Sequence, residues 1–235
     1  MSGSFFSPIT AFFPISDEQA MWRVQNGDDA QAFAQLMNRW EKPIQNLCTR
    51  MTGDAHRAED LTQEAFARVY GRRKEYKPEG RFSTYLWRIA LNLCYDEIRR
   101  KQRRKEFSLD DPDYDSRAAV EDTATDSQPS RILEARERVA EVKDALLQLP
   151  EAHRVVLVLR HYENLKFREI AEVLSVPEGT VKSRMAEALN SMGRILHRAA
   201  RSAAGTGSAP RKSPDRCERV FRALVPNEGV SKGCL

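Results

Sequence analysis

Apolar residues spaced three and four apart fill two long stretches of this sequence, and a polar acidic run separates them. That spacing is the period of a helix. The chain is therefore expected to be all-α, with two small helical domains joined by an acidic flexible linker. In the first stretch Phe33, Met37, Trp40, Ile44, Leu47 and Met51 make one stripe. Gly53-Asp54 ends it, since glycine suits the position past a helix end and aspartate caps the next helix. Ala58, Leu61, Ala65 and Val69 share one face of a helix expected over 54–70. Residues 71–80, with Tyr76, Pro78 and Glu79-Gly80, read as a loop. A third helix is expected over 83–105.

Between 106 and 130 the periodicity stops. Asp110-Asp111-Pro112-Asp113 and Ser127-Gln128-Pro129-Ser130 have linker composition. Helical spacing resumes with Ile132, Ala135, Val139, Val142, Leu146 and Leu149, and Pro150 suits the first turn of the next helix. The run Val155 to Leu159 fits a buried strand or a buried helix, and its helical neighbours favour the helix. A short helix carrying Ile170, Ala171 and Leu174 follows, then a turn at Ser175-Val176, then a longer helix opened by Pro177. Beyond Ala200 the chain turns Ala, Gly, Ser and Pro rich. The expected organisation is a flexible leader over 1–16, a first domain over 17–105, the linker over 106–130, a second domain over 131–200 and a disordered basic tail over 201–235.

The net charge of +4 is unevenly spread. Residues 16–105 carry 18 basic and 13 acidic side chains, whereas 106–130 carry one basic and eight acidic. Residues 131–200 carry 12 basic and 10 acidic. Two basic blocks flanking an acidic strip suggest a nucleic-acid partner. No apolar run approaches the roughly 18 residues of a membrane span, and residues 1–15 lack the Lys or Arg of a secretory signal. No membrane partner is expected. The four cysteines form no CxxC pair and fit a reducing cytoplasm. Asp111, Asp113 and Asp115 mimic a calcium loop, but Ser116 and Asp122 stand where Gly and Glu belong. With no triad, nucleotide loop or metal motif, neither catalytic residues nor a cofactor nor a metal is expected.

Three surfaces remain. On the helix over 83–105, Phe82, Leu86, Ile89 and Leu93 form one apolar stripe, and Trp87, Leu91, Cys94 and Ile98 a second. Such a helix is central, packed on two flanks. The strip left over holds Tyr85, Arg88, Asn92, Tyr95, Arg99 and Arg103. Arg suits phosphates and Tyr suits unstacked bases; a solvated polar face is the alternative. On the helix over 54–70, Asp60 and Glu64 stand four apart, a mildly unfavourable like-charge pair. A basic partner surface would explain it, and neutralisation by Arg57 and Arg68 would do so equally. Finally, over 164–196, a short helix, a tight turn and a helix with small and polar outward residues make a helix-turn-helix, whose second helix enters the major groove. Its outward residues are Thr180, Ser183, Ala186, Glu187 and Asn190, with Lys182 and Arg184 at the flanks.

Ala58-Glu59-Asp60-Leu61-Thr62-Gln63-Glu64-Ala65-Phe66, Trp87-Arg88-Ile89-Ala90-Leu91-Asn92, Ile170-Ala171-Glu172-Val173-Leu174 and Gly179-Thr180-Val181-Lys182-Ser183-Arg184 resemble, in order, conserved stretches of bacterial RNA polymerase sigma factors. With two domains, the chain looks like the extracytoplasmic-function, sigma-70-like group, over about residues 17–200. The resemblance implies a transcription initiation factor that binds core RNA polymerase and promoter DNA. It implies docking on the clamp coiled coil of the largest subunit through Asp60, Gln63 and Glu64, with a further contact at the polymerase flap. It implies opening of the −10 element by Lys77, Arg81, Phe82, Tyr85, Arg88, Asn92, Tyr95, Arg99 and Arg103. Thr180, Lys182, Ser183, Arg184, Ala186, Glu187 and Asn190 would read the −35 element. An anti-sigma factor is a further candidate partner. The linker would thread toward the polymerase active centre. Lys166 stands where the family often has a Ser or Thr cap, and Ala186 and Glu187 where it often has bulky or basic residues. A carboxylate at 187 accepts from cytosine N4 and is repelled by guanine O6 and N7. The alternative function is a helix-turn-helix regulator that works without polymerase.

Overall fold

The computed structural model describes residues 15–77, 80–107 and 139–204, and every regular element among them is helical. The first domain comprises α1 (Asp17–Gly27), α2 (Ala30–Thr52), α3 (Ala55–Gly71) and α4 (Phe82–Phe107). The second comprises α5 (139–147), α6 (Glu151–Leu157), α7 (Phe167–Leu174) and α8 (Glu178–Ala204). The linker beyond 107, the leader up to residue 14 and the tail beyond 204 lie outside the described residues.

Capping chemistry sets the boundaries. The Gln19 N–H donates to Ser16 Oγ and the Ser16 N–H to Gln19 Oε1, both at 3.2 Å, a closed capping box at the start of α1. Asp29 caps α2 by accepting from the Gln31 and Ala32 N–H groups at 3.0 Å. Gly53 (φ 79°) ends α2 with its N–H on the Thr49 carbonyl, and Asp54 caps α3 by accepting from the Arg57 N–H at 3.0 Å. The Gly53-Asp54 signal thus performs both predicted tasks. Asp54 lies outside α3, which begins one residue later than the sequence suggests, and α4 begins at Phe82 rather than Ser83. A short 3-10 turn, Arg73–Glu75, sits inside the expected loop. Pro150 and Pro177 each precede a helix instead of opening it; the Pro150 carbonyl accepts the N–H groups of His153 and Arg154, and the Pro177 carbonyl those of Thr180 and Val181. The last helix outruns the expected boundary at Ala200 and ends at Ala204.

In the first domain Leu36, Ile44, Leu47 and Met51 of α2 bury against Leu61, Ala65 and Val69 of α3. Central α4 packs Phe82, Leu86, Trp87, Leu91 and Cys94 into the same core. Trp40 and Trp87 meet edge-to-face with centroids 5.7 Å apart. In the second domain Val155 to Leu159 are all buried. The run is helical, and it passes into a π-turn at Val158–Tyr162, where the Glu163 N–H donates to the Val158 carbonyl. Val181, Met185, Ala188 and Met192 anchor α8, as their spacing predicts.

The two domains are docked on each other, which the sequence did not disclose. Gly53 lies against Leu147 of α5: a Cβ at Gly53 would stand 2.7 Å from Leu147 Cδ1 and push that methyl aside, and the positive φ is what favours glycine here. Arg50 stacks over the Tyr162 ring at 4.1 Å and reaches Glu163 at 3.6 Å. Burial pushes the Glu163 carboxyl up to about 7, against the opposing pull of Arg50. Between 4.5, its ordinary value, and about 7, the folded protein therefore holds a proton that the unfolded chain releases. This stabilisation is complete below that window and is lost as pH rises through it. Glu163→Gln stays neutral at every pH. It is expected to raise stability at about pH 8 by on the order of 1–3 kcal/mol, with no gain at about pH 4. Urea midpoints at the two pH values check this, and an equal shift at both would contradict it.

Candidate nucleic-acid interface

The acidic ridge of α3 faces outward, away from the core stripe. Asp60 and Gln63 are exposed and Glu64 is half-exposed. Asp60 pairs with Arg57 at 3.0 Å and Glu64 with Arg68 at 2.6 Å. Neutralisation within the helix thus accounts for the like-charge spacing, and that spacing alone no longer argues for a basic partner. Arg57 also binds Glu97 of α4 at 3.0 Å. Glu97 is buried and takes Arg100 as a second partner at 3.5 Å. The sequence reading missed Glu97, whose helical position falls between the apolar stripes.

The strip on α4 divides in two. Arg88, Asn92, Arg99 and Arg103 are exposed, as are Lys77 and Arg81 ahead of the helix. Tyr85 and Tyr95 are half-buried. Tyr85 leans on Tyr76 with centroids 5.2 Å apart, and burial raises its hydroxyl pKa. Tyr95 is withdrawn further, with burial pushing its hydroxyl up to about 12; Glu151 of α6 and Arg184 of α8 are among its charged neighbours. Phe82 leaves the set of DNA-contacting residues. Its side chain is 0 % exposed and packs near Tyr76, while its N–H donates to Glu18 Oε1 at 3.3 Å. Its place in the apolar stripe decides its role.

In the second domain the turn between α7 and α8 is left-handed at Ser175 (φ 54°), and the Val176 N–H closes on the Ala171 carbonyl at 3.1 Å. Lys166 begins α7 without a side-chain cap. Its N–H donates to Glu169 Oε2 at 2.8 Å, the reciprocal half of a capping box, while the hydroxyl acceptor that a Ser or Thr would offer is missing. On α8, Lys182, Ser183, Ala186, Glu187 and Asn190 are exposed, and Thr180 and Arg184 half-buried. Lys182 pairs with Glu178 at 2.7 Å, and the Ser183 hydroxyl donates to the Gly179 carbonyl at 3.1 Å. Glu187 Oε2 lies 3.1 Å from His153 Nε2 of α6, a partner that the helix surface alone does not reveal.

Among the described residues no group of His, Cys, Asp and Glu is arranged to hold a metal, and no helix is long and apolar enough to cross a membrane. What the arrangement offers is cations, amides and hydroxyls on two helices, the chemistry of phosphate and base-edge contact.

Comparison with known proteins agrees. The family model for sigma-70 region 2 matches residues 36–104, and that for sigma-70 region 4 matches residues 140–192. The ECF RNA polymerase sigma factor SigW of Bacillus subtilis is 36% identical over 173 residues, covering 69% of this chain and 87% of SigW. This chain belongs to the extracytoplasmic-function sigma factors. The RNA polymerase sigma-H factor of Pseudomonas aeruginosa is 33% identical over 184 residues, covering 77% of this sigma factor and 93% of that one. Its fold is that of the sigma factor RpoE from Bartonella quintana, solved in complex with the anti-sigma factor NepR, at a TM-score of 0.56 and 20% identity. The likeness covers 72% of this chain and 98% of that one. As a sigma factor, the protein directs RNA polymerase to promoters. The reading as a regulator that works without polymerase is set aside, because the first domain is a region 2 domain.

Proposed function

We propose that the three surfaces divide the work of initiation. Asp60, Gln63 and Glu64 on α3 dock on the clamp coiled coil of the largest polymerase subunit, and the second domain meets the flap. Lys77, Arg81, Tyr85, Arg88, Asn92, Tyr95, Arg99 and Arg103 open the −10 element and hold its unstacked strand. Thr180, Lys182, Ser183, Arg184, Ala186, Glu187 and Asn190 read the −35 element. The sigma factor acts in the cytoplasm by binding alone, with no catalytic residues, and an anti-sigma factor is its proposed regulator. The observation that carries this reading is α4. Its apolar flanks are buried on both sides, yet it exposes Arg88, Asn92, Arg99 and Arg103 along one strip.

Promoter opening separates this reading from general DNA affinity. Asn92→Ala is expected to lower the rate of open-complex formation on duplex promoter about tenfold or more. The loss of one base contact costs about 1–3 kcal/mol. A premelted template should restore most of the activity, since the base is already unstacked. Tyr95→Ala should behave likewise. Equal defects on duplex and premelted templates would overturn the assignment of the strip.

A further inference from the structure

Glu187 sets a negative charge on the face of α8 that would meet DNA. Its side chain is 65% exposed and lies one helical turn beyond Ser183. Phosphates repel a carboxylate, so one that read nothing would weaken binding to every sequence alike. Among the described residues no ion pair joins Glu187 to its own helix, whereas Lys182 is taken by Glu178. Glu187 instead faces His153 of α6, with Oε2 3.1 Å from Nε2. The histidine is the better fixed of the two. Its side chain is 19% exposed where α6 packs on α8, beside buried Arg154 and Val155. His153 Nδ1 is buried and has no hydrogen-bond partner. A proton there would be a buried donor without an acceptor, so the N–H belongs on Nε2, toward Glu187. A ring held between two helices thus restrains an exposed glutamate that would otherwise sample many rotamers. The contact engages one carboxylate oxygen and leaves Oε1 for another donor.

We propose that Glu187, held in place by His153, selects cytosine at one position of the −35 element. Glu187 is then a specificity-determining residue, and His153 a positioning residue that acts through it. The inference rests on the reading of α8 as the helix that enters the −35 major groove. In that groove the donors are amino groups, N4 of cytosine and N6 of adenine. Adenine N6 lies between two acceptors, its own N7 and the O4 of the paired thymine, and both repel a carboxylate. Cytosine N4 has an acceptor on one side only, the O6 of the paired guanine. Guanine itself offers only the acceptors O6 and N7. A carboxylate therefore ranks cytosine first, adenine next and guanine last. Ala186 beside it is exposed and small, which lets α8 come close to the base edges.

The test uses holoenzyme assembled from the full chain and core polymerase, with binding selection on promoter DNA randomised across the −35 element. Wild type is expected to favour cytosine about tenfold at one position, the size of one direct base contact. Glu187→Arg should turn that position to guanine and leave the other positions unchanged. His153→Phe keeps a ring of similar size and removes the N–H. It should cut the cytosine preference to about threefold or less, with the other positions unchanged. His153→Gln keeps an N–H where Nε2 stood and should retain most of the preference. A merely structural His153 would instead lower affinity for all sequences together. Glu187 is exposed, so Glu187→Arg tests the readout even where His153→Phe does not fold. An unchanged preference in His153→Phe, or an equal loss in His153→Gln, would overturn the positioning role. Lys182→Ala and Ser183→Ala separate the two levels of the argument. If they alter the selected −35 sequences and Glu187→Arg does not, the cytosine readout is overturned. If none of the three alters them, the reading of α8 falls as well.

Discussion

Asp60→Lys combined with Glu64→Lys is expected to abolish binding to core RNA polymerase while leaving the helical fold intact. The two carboxylates sit on the outer face of α3, and the Asp60 side chain is 64% exposed. Their pairs with Arg57 and Arg68 are of the exposed helical kind, contributing about 0.3–0.5 kcal/mol each. Reversing both charges therefore costs the fold little. At the proposed interface the effect is of another size. Two cations placed against a basic docking surface cost several kcal/mol, about a thousandfold in Kd. Co-elution with core checks the binding, and far-UV circular dichroism checks the helix. A double variant that binds core as wild type does would remove α3 from the docking surface.

Arg154→Met is expected to destabilise the sigma factor by about 3–5 kcal/mol, since each buried carbonyl left without a donor costs about 1–3 kcal/mol. Arg154 is 8% exposed, and its guanidinium donates to the carbonyls of Leu146, Leu147 and Leu149 and to Met51 across the domain contact. It therefore caps the C-terminal ends of α5 and α2 together, the favourable place for a cation. Burial lowers its pKa, with Glu151 opposing. Methionine fills similar volume and takes the guanidinium donor away from the buried carbonyls, of which the Leu146 carbonyl keeps the Leu149 N–H at 3.2 Å. Arg154→Lys should fall between the two, since an ammonium cannot span four acceptors. The urea midpoint measures each variant. A loss below about 1 kcal/mol for Arg154→Met would show that water or backbone shifts satisfy the carbonyls.

Local chemistry was the legible part of this chain. Gly53-Asp54, the Ser175 turn and the stripe of Val181, Met185, Ala188 and Met192 each depend on neighbours a few residues away, and periodicity captures such neighbours. The ambiguous run Val155 to Leu159 resolved as a helix because every element around it is helical. Phe82 was misplaced among the DNA contacts because the resemblance covers a loop-and-helix segment, while burial is decided residue by residue. Arg154 was invisible for a different reason. A cation beside an apolar run looks like a helix flank until α2 and α5 bring their carbonyl ends to it. His153 beside Glu187, Glu163 beneath Arg50 and α7 on Arg88 likewise exist only once the domains and helices are packed.

The central claim is that this chain gives core polymerase its promoter choice. Run-off transcription with purified core polymerase and a promoter library tests it most directly. The account predicts discrete transcripts from a subset of promoters when chain and core are combined, and none from either alone. Sequencing of the productive templates should show shared −10 and −35 elements. Promoter duplex bound as tightly without core, with no transcript when core is added, would contradict it and restore the regulator that works without polymerase.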